Sequence, residues 1–263
     1  MVARFSFGAP LGSRFRAASL YLSATCVVAA AVFVPIYFLW YPGALFEQAG
    51  GRALFLLITG VDLTIGPLVV FVIFVPGKKG LAFDLATIAI LQLSALAYGI
   101  GVLFESRLVF IVFVKDRFEL VRANEISDKE LDKAQAGPYG RLSWSGPRVV
   151  GARLPKDPDE QFRFMMSAFG GGADIQVYPR YYVAYDDVKG QVLSQSAALA
   201  RLRELNPGST AEIDALAAEL GRTETQLRFL PMRAGPYVDL TVLVDAASGK
   251  VLKYAALRPW EYK

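Results

Sequence analysis

The chain has 263 residues, of which 54% are apolar and 20% charged, and its mean hydropathy is +0.37. Soluble domains contain about 45–50% apolar and about 25% charged residues, so this composition favours a membrane protein and excludes an intrinsically disordered one. With no histidine and a single cysteine, the sequence excludes histidine-based triads, clusters of histidine or cysteine ligands, and an internal disulfide. We therefore predict no metal site and no cofactor.

The formal net charge of +4 arises mostly in the first 104 residues, and acidic and basic residues nearly balance in the remainder. A nucleic-acid-binding domain needs lysines and arginines concentrated on one face. The distribution therefore argues against nucleic acid as a partner.

Three apolar stretches predict membrane-spanning helices at about residues 20–41, 53–75 and 81–104. Each supplies the roughly 20 apolar residues that a helix needs to cross a bilayer core of about 30 Å. The first stretch has no charge, the second contains only Asp62, and the third contains only Asp84. Residues 20–104 are therefore interpreted as a three-helix transmembrane domain in contact with membrane lipids.

The orientation of the spans follows from their positive flanks. Three arginines precede the first span and two lysines connect the second to the third: Arg4, Arg14, Arg16, Lys78 and Lys79. Positive segments remain in the cytoplasm, so residues 1–19 are expected inside and residues 105–263 outside, in the periplasm of a bacterium. The first apolar run is longer than that of a signal peptide and no cleavage site follows it, which predicts an uncleaved anchor and therefore a multi-pass membrane protein. Trp40, Tyr41 and Tyr98 are expected at the membrane interfaces.

Beyond residue 105 the pattern predicts an α+β domain with a C-terminal hairpin. The chain therefore consists of three transmembrane α-helices followed by an α+β extracytoplasmic domain. Strands are predicted at residues 108–114, 118–121, 180–185, 227–232, 237–244 and 251–257. Helices are predicted at residues 127–135, 159–169, 192–205 and 209–220, and the glycine- and proline-rich residues 135–158 are predicted to form a loop.

Asp62 is the most informative residue of the spans. A carboxylate in mid-bilayer is costly, so it should face a partner or a cavity. Gly60 and Gly66 allow another backbone to approach the second helix, and Pro67 cannot donate a backbone hydrogen bond, which predicts a kink. Two interpretations stay open: Asp62 hydrogen-bonds Thr or Tyr side chains inside the bundle, or it recognises a partner.

The different depths of Asp62 and Asp84 argue against an intramembrane aspartyl protease. Asp62 lies about 14 Å from the outer end of its span and Asp84 about 5 Å from the cytoplasmic end of the next, at 1.5 Å per residue. A catalytic dyad needs its carboxyl oxygens about 3 Å apart. Asp84 is instead expected to pair with Lys78 or Lys79, or to cap its helix, and we predict that the protein is not an enzyme.

In the outer domain, Tyr178, Arg180, Tyr181 and Tyr182 form a candidate partner-binding patch, because tyrosine and arginine are enriched in interface cores. An ordinary strand with its hydroxyls at the surface is the alternative. The glycine run at residues 170–172 lacks the lysine of a P-loop and is interpreted as a helix stop.

Several motifs of the membrane half resemble the TfpX/TfpZ family of type IV pilin accessory proteins. The motifs are Tyr41-Pro42-Gly43-x-Leu45-Phe46, Gly50-Gly51-x-x-Leu54-Phe55, Gly60-Val61-Asp62-Leu63-x-x-Gly66-Pro67, Lys78-Lys79-x-Leu81-x-Phe83-Asp84-Leu85, Leu91-Gln92-Leu93 and Ala95-Leu96-x-Tyr98-Gly99. The resemblance covers about residues 40–120. It implies a non-enzymatic inner-membrane accessory protein or chaperone that acts on the major type IV pilin before or during assembly.

Taken together, these observations suggest how a client would bind. Our hypothesis is that the second helix docks the transmembrane helix of the pilin through a Gly60/Gly66 face, with Asp62 as a polar contact, while the outer domain touches the pilin head. The alternative is a sensor or regulatory subunit of an envelope complex, with a ligand-binding periplasmic domain.

Overall fold

The computed structural model describes residues 10–155, 157–169, 174–235 and 238–261, with only the backbone of residues 167–169. Arg4 and the glycine run at 170–172 therefore lie outside the described residues. The chain divides into two compact units. Unit 1 comprises Met1–Tyr37 and Gly51–Phe104, and unit 2 comprises Phe38–Gly50 and Glu105–Lys263.

Unit 1 is formed by three long apolar helices: α1 (Leu11–Pro35), α3 (Gly51–Ile73) and α4 (Leu81–Glu105). Helix α1 begins well before the predicted start of the first span and continues as a π-helix over Ile36–Trp40. By length and composition all three are able to cross a membrane.

Small residues bring the helices of unit 1 close together. A Cβ atom at Gly99 of α4 would lie 2.7 Å from Ile58 Cγ2 of α3, so the glycine permits the contact. At the start of α4, Lys78 Nζ pairs with Asp84 Oδ2 at 2.5 Å. The predicted pairing of Asp84 with a neighbouring lysine is thus confirmed.

Unit 2 is a mixed sheet covered by helices. Its strands are β1 (Leu108–Val114), β2 (Arg117–Arg122), β3 (Arg148–Ala152), β4 (Tyr182–Ala184), β5 (Ala197–Ala198), β6 (Leu227–Gly235), β7 (Val238–Asp245) and β8 (Val251–Ala255). Its helices are α2 (Ala44–Gln48), α5 (Asp128–Ala134), α6 (Pro158–Phe169), α7 (Lys189–Gln195), α8 (Leu199–Leu205) and α9 (Thr210–Glu219).

The sheet order is β4-β3-β1-β2-β6-β7-β8, with β5 paired to β6. The pairs β1–β3 and β2–β6 are parallel and the others antiparallel. All seven residues of β1 are buried, as expected for a strand covered on both faces. The β7–β8 pairing confirms the predicted C-terminal hairpin.

Two of the secondary-structure elements predicted for unit 2 were wrong. The stretch 135–158 was expected to be a loop but contains β3, which pairs with β1 and β4. The helix expected at 192–205 is divided into α7 and α8 because the chain is extended at Ser196 and then pairs with β6 through β5. In both cases long-range pairing overrides the local pattern.

The segment Phe38–Gly50, between the first two long helices, belongs to unit 2. Tyr41, Leu45 and Phe46 are buried in this unit, and the Tyr41 hydroxyl donates to the Ser106 carbonyl at 2.7 Å. Tyr41 was expected at a membrane interface, and its complete burial corrects that prediction.

Two further contacts hold this segment. Arg122 Nη2 donates to the Ala49 carbonyl at 3.1 Å, and the Trp40 indole donates to the Trp144 carbonyl at 3.1 Å. Because Gly43 has a φ of +61°, the turn before α2 favours glycine. Since 38–50 and 105–261 fold together, they must lie on one side of any membrane that the three helices cross.

Candidate functional site

In unit 1, the predicted partner-binding residues of α3 lie on two different faces of the helix. Thr59, Asp62, Gly66 and Val70 are buried and recur at helical spacing, so they form the inward face of α3. Gly60 has no neighbour within 4 Å of where its Cβ would be. Six residues correspond to about 120° around an α-helix, so Gly60 and Gly66 do not share the single face that the sequence suggested.

Gly66 lies where the three helices of unit 1 meet. A Cβ there would lie 2.8 Å from the Tyr21 ring of α1 and would also overlap the Gln92 amide of α4. The Gly66 face is therefore filled by the protein's own side chains. Pro67 is half-buried and lies within α3, which continues as one helix to Ile73.

Asp62 is 7% exposed, and Tyr21 of α1 lies close enough to interact electrostatically with its carboxylate. Within the described residues its carboxylate accepts no hydrogen bond, and the buried Gln92 Oε1 is also unpaired. The hydrogen bonds to Thr or Tyr that one interpretation predicted are thus not formed. Since an unpaired polar group in an apolar bundle is costly, either a proton or a group from a partner must satisfy Asp62.

In unit 2, the four residues of the predicted partner-binding patch differ in how deeply they are buried. Tyr182 is a core residue: its ring packs edge-to-face on Phe110, at 4.9 Å between centroids, and its hydroxyl donates to the Gln176 carbonyl. Burial raises the pKa of the Tyr182 hydroxyl. This burial corrects the prediction that Tyr182 is available to a partner.

Arg180 connects two helices on the surface of unit 2. Its guanidinium pairs with Glu130 of α5 at 3.0 Å and with Glu160 of α6 at 3.5 Å. It also lies over the rings of Tyr181, at 4.7 Å, and Tyr178, at 5.5 Å. The Tyr181 hydroxyl donates to the Glu160 carboxylate, so these residues position α6.

Helix α6 buries one aromatic side chain and exposes an apolar surface that the sequence analysis did not identify. Phe164 packs edge-to-face on Tyr178 and Tyr181, at centroid distances of 5.0 and 5.3 Å. Phe162, Met165 and Met166 are 57%, 50% and 53% exposed. The apolar spacing i, i+3, i+4 within 162–166 was the signal that predicts such a face.

Beside α6 lies a groove of about 670 Å³. We call it the α6 groove, and its lining includes Lys115, Leu154, Phe162, Phe164, Met165 and Asp174. Lys115 occupies the turn between β1 and β2 with a φ of +57°, a conformation that costs a non-glycine residue about 1–2 kcal/mol. Backbone strain of this kind concentrates at binding and switch sites.

A largely buried carboxylate, Glu119, lies on strand β2. Glu119 of β2 faces Arg233 of β6, with 4.0 Å between its Oε1 and the Arg233 Nη1. Burial raises the pKa of Glu119 to about 7, although Arg233 and Arg117 act to lower it. Asp174 contributes to the raised value through its charge.

Three proteins of Dichelobacter nodosus are similar to this chain. The fimbrial assembly protein of serogroup E1 is 28% identical over 222 residues, 83% of this chain and 86% of that protein. That of serogroup I is 27% identical over 245 residues, 92% of each chain. The fimbrial assembly protein of serogroups C1 and C2 is 32% identical over 133 residues, half of this chain and 97% of that protein. No protein-family model matches the chain, and no solved structure matches it significantly.

Proposed function

The chain belongs to the family of fimbrial assembly proteins, and we propose that it is a non-enzymatic accessory protein, or chaperone, for the major pilin of type IV fimbriae. The observation that carries the proposal is the similarity to a fimbrial assembly protein over 92% of the chain, which includes both units. A role in fimbrial biogenesis follows from the family. The narrower assignment to the pilin rests on the resemblance of the membrane-half motifs to those of the TfpX/TfpZ proteins.

Charge and folding support a location in the bacterial inner membrane with unit 2 in the periplasm. The connection before α4 carries Lys78 and Lys79, and the positive-inside bias places it in the cytoplasm. Because Phe38–Gly50 and the later part of the chain fold as one unit, an even number of spans must separate them, and α3 and α4 are two. With α1 as a further span, a cytoplasmic N-terminus leaves unit 2 in the periplasm.

Asp62 is the residue of the spans that we propose for contact with the pilin, and because it lies on the inward face of α3, this contact requires the helices of unit 1 to separate around it. It is largely buried and has no hydrogen-bond donor among the described residues. A donor on the pilin would therefore relieve a cost that the free protein bears. The exposed residues beside it, Val61 and Ile65, offer positions from which this contact can be tested.

The primary test is deletion of the gene, with steady-state pilin and surface fimbriae as readouts. We expect both to fall in the deletion strain and to recover when the wild-type chain is supplied. Pilin and fimbriae that remain at wild-type levels after deletion would refute the proposed function.

Variants of α3 test the membrane contact. Asp62→Asn and Asp62→Ala are expected to lower pilin while the accessory protein stays abundant, whereas Thr64→Ala, an exposed position on the same helix, should change neither. Equal loss of both proteins would indicate that Asp62 acts in folding. Photocrosslinkers at Val61 and Ile65 should capture pilin, and their failure to do so would remove the membrane contact from the proposal.

A further inference from the structure

The loop at residues 141–146 of unit 2, here called the Trp144 loop, is hydrogen-bonded to two places where the chain leaves a long helix. Trp40, the last residue of the first candidate span, donates from its indole to the Trp144 carbonyl at 3.1 Å. Arg107, which follows the end of the third candidate span, donates from its Nε to the Ser143 carbonyl at 3.0 Å. Since all of these residues belong to unit 2, the loop lies beside the ends of two spans.

Buried contacts hold the loop in this position. Gly146 is buried with a φ of +108°, and a Cβ there would overlap the Leu39 carbonyl oxygen, so the close approach requires glycine. Arg107 is 5% exposed. The hydrogen bond from the Tyr41 hydroxyl to the Ser106 carbonyl joins the two chain segments to which the loop is attached. The backbone of the loop is therefore fixed relative to the ends of the spans.

This fixed backbone presents a large aromatic side chain to the surroundings. Trp144 is 75% exposed, and Phe38 and Leu39, just before Trp40, are 65% and 43% exposed. We call Phe38, Leu39 and Trp144 the junction surface. Because Phe38 and Leu39 are part of the first candidate span, the junction surface continues the apolar surface of that span.

The composition of the Trp144 loop indicates what covers the junction surface. Arg141 is the only charged residue between positions 134 and 147, and it is exposed. The interface of a bilayer combines apolar chains with negative phosphates, and tryptophan is enriched there because its ring is apolar and its indole N–H is polar. Arginine near a membrane surface directs its guanidinium to the phosphates. Continuity with the span and the sign of the charge therefore both favour lipid.

We propose that the Trp144 loop anchors unit 2 to the membrane, with the Trp144 ring in the headgroup region of the periplasmic leaflet and Arg141 paired with lipid phosphate. This inference rests on the membrane location given under the proposed function, and it adds a lipid contact outside the three spans. Since the loop is fixed within unit 2, the contact limits how far unit 2 can tilt against the bilayer.

The test uses the full chain in nanodiscs that contain no fimbrial subunit. The lipids are phosphatidylglycerol and a brominated phosphatidylcholine, whose bromine quenches nearby tryptophans and lies either near the headgroup or near the far end of the acyl chains. The emission of Trp144 is the difference between wild type and Trp144→Phe, which keeps the backbone hydrogen bonds of the loop. We expect this emission to be largely lost with bromine near the headgroup and less affected by the deeper bromine. Emission that the shallow bromine leaves unchanged, or that the deeper bromine quenches more, would overturn the inference.

A pair of charge reversals tests the role of Arg141. Arg141→Glu is expected to reduce the quenching of Trp144 in nanodiscs with phosphatidylglycerol, because anionic lipid repels the new carboxylate. Lys250→Glu is the matched control and should leave the quenching unchanged. Lys250 is exposed in the turn after β7, at the opposite end of the sheet from the start of β1. Equal quenching in the two variants would refute the pairing of Arg141 with phosphate.

The fimbrial subunit is the competing occupant of the junction surface. In cells, a photocrosslinking residue in place of Trp144 is expected to capture phospholipid, and capture of the fimbrial subunit instead would overturn the inference. Failure of the inference is separable from failure of the proposed function. If Trp144 is not quenched but deletion of the gene lowers pilin and fimbriae, the inference is wrong and the proposed function stands. If Trp144 is quenched but deletion changes neither, the proposed function is wrong and the membrane contact stands.

Discussion

Glu119 gives unit 2 a stability that decreases as the pH rises. Its pKa is about 7 in the folded protein against 4.5 for an ordinary glutamate, chiefly because it is buried. Between these values the folded chain holds a proton that the unfolded chain has released, so the free energy of unfolding falls as pH increases and levels off above about 7. This change in pKa lowers the free energy of unfolding by about 3 kcal/mol at pH 8 and by about 1 kcal/mol at pH 5.

Glu119→Gln removes this pH dependence. The variant is therefore expected to be more stable than wild type by about 3 kcal/mol at pH 8 and by about 1 kcal/mol at pH 5. Unfolding by urea of the detergent-solubilised chain can be followed by tryptophan fluorescence, since all three tryptophans (Trp40, Trp144 and Trp260) belong to unit 2. Glu212→Gln, at an exposed position, serves as the control. Wild-type and Glu119→Gln stabilities that change in parallel from pH 5 to pH 8 would refute the reasoning.

Three further substitutions test features of the two units. Gly99→Ala should destabilise unit 1 by about 1–3 kcal/mol, because the added Cβ would overlap Ile58. Gly101→Ala is the control: its Cβ meets nothing within 4 Å, so it should stabilise unit 1 by up to about 1 kcal/mol. Helicity measured during titration with a denaturing detergent reports both stabilities, and equal effects of the two variants would contradict the packing. Tyr41→Phe should lower the stability of unit 2 by about 1 kcal/mol because it removes the hydrogen bond from the buried Tyr41 hydroxyl to the Ser106 carbonyl, and an unchanged urea midpoint would count against that bond. Lys115→Gly should raise the stability of unit 2 by about 1 kcal/mol by relieving the left-handed backbone, and a lower urea midpoint would show that the lysine side chain stabilises the turn.

Local patterns predicted the elements whose signals are strong. The continuous apolar run Leu108–Val114 forms the buried strand β1, and the segment that begins at Pro158 forms α6. Patterns failed where a distant partner decides the structure. Arg148–Ala152 lies in a glycine- and proline-rich stretch and becomes a strand because β1 offers a parallel edge.

The candidate sites show the same limit. Asp62 was found from the sequence because a charge in an apolar span is rare, but helical spacing alone would have shown that Gly60 and Gly66 face different directions. Tyr182 belongs to an aromatic run, and only the packing against Phe110 reveals it as a core residue. The α6 groove depends on Lys115 and Asp174, which lie far apart in the chain, and no local pattern brings them together.

Because Phe38–Gly50 is part of unit 2, this unit is discontinuous in the sequence, and the order of synthesis affects its folding. A fragment that begins at Glu105 lacks the buried side chains of Tyr41, Leu45 and Phe46. We expect it to expose the apolar surface that these side chains cover and therefore to aggregate. During synthesis the early segment must wait until the later strands of unit 2 have been made. Unit 2 can therefore complete its folding only after two further long helices, α3 and α4, have been synthesised.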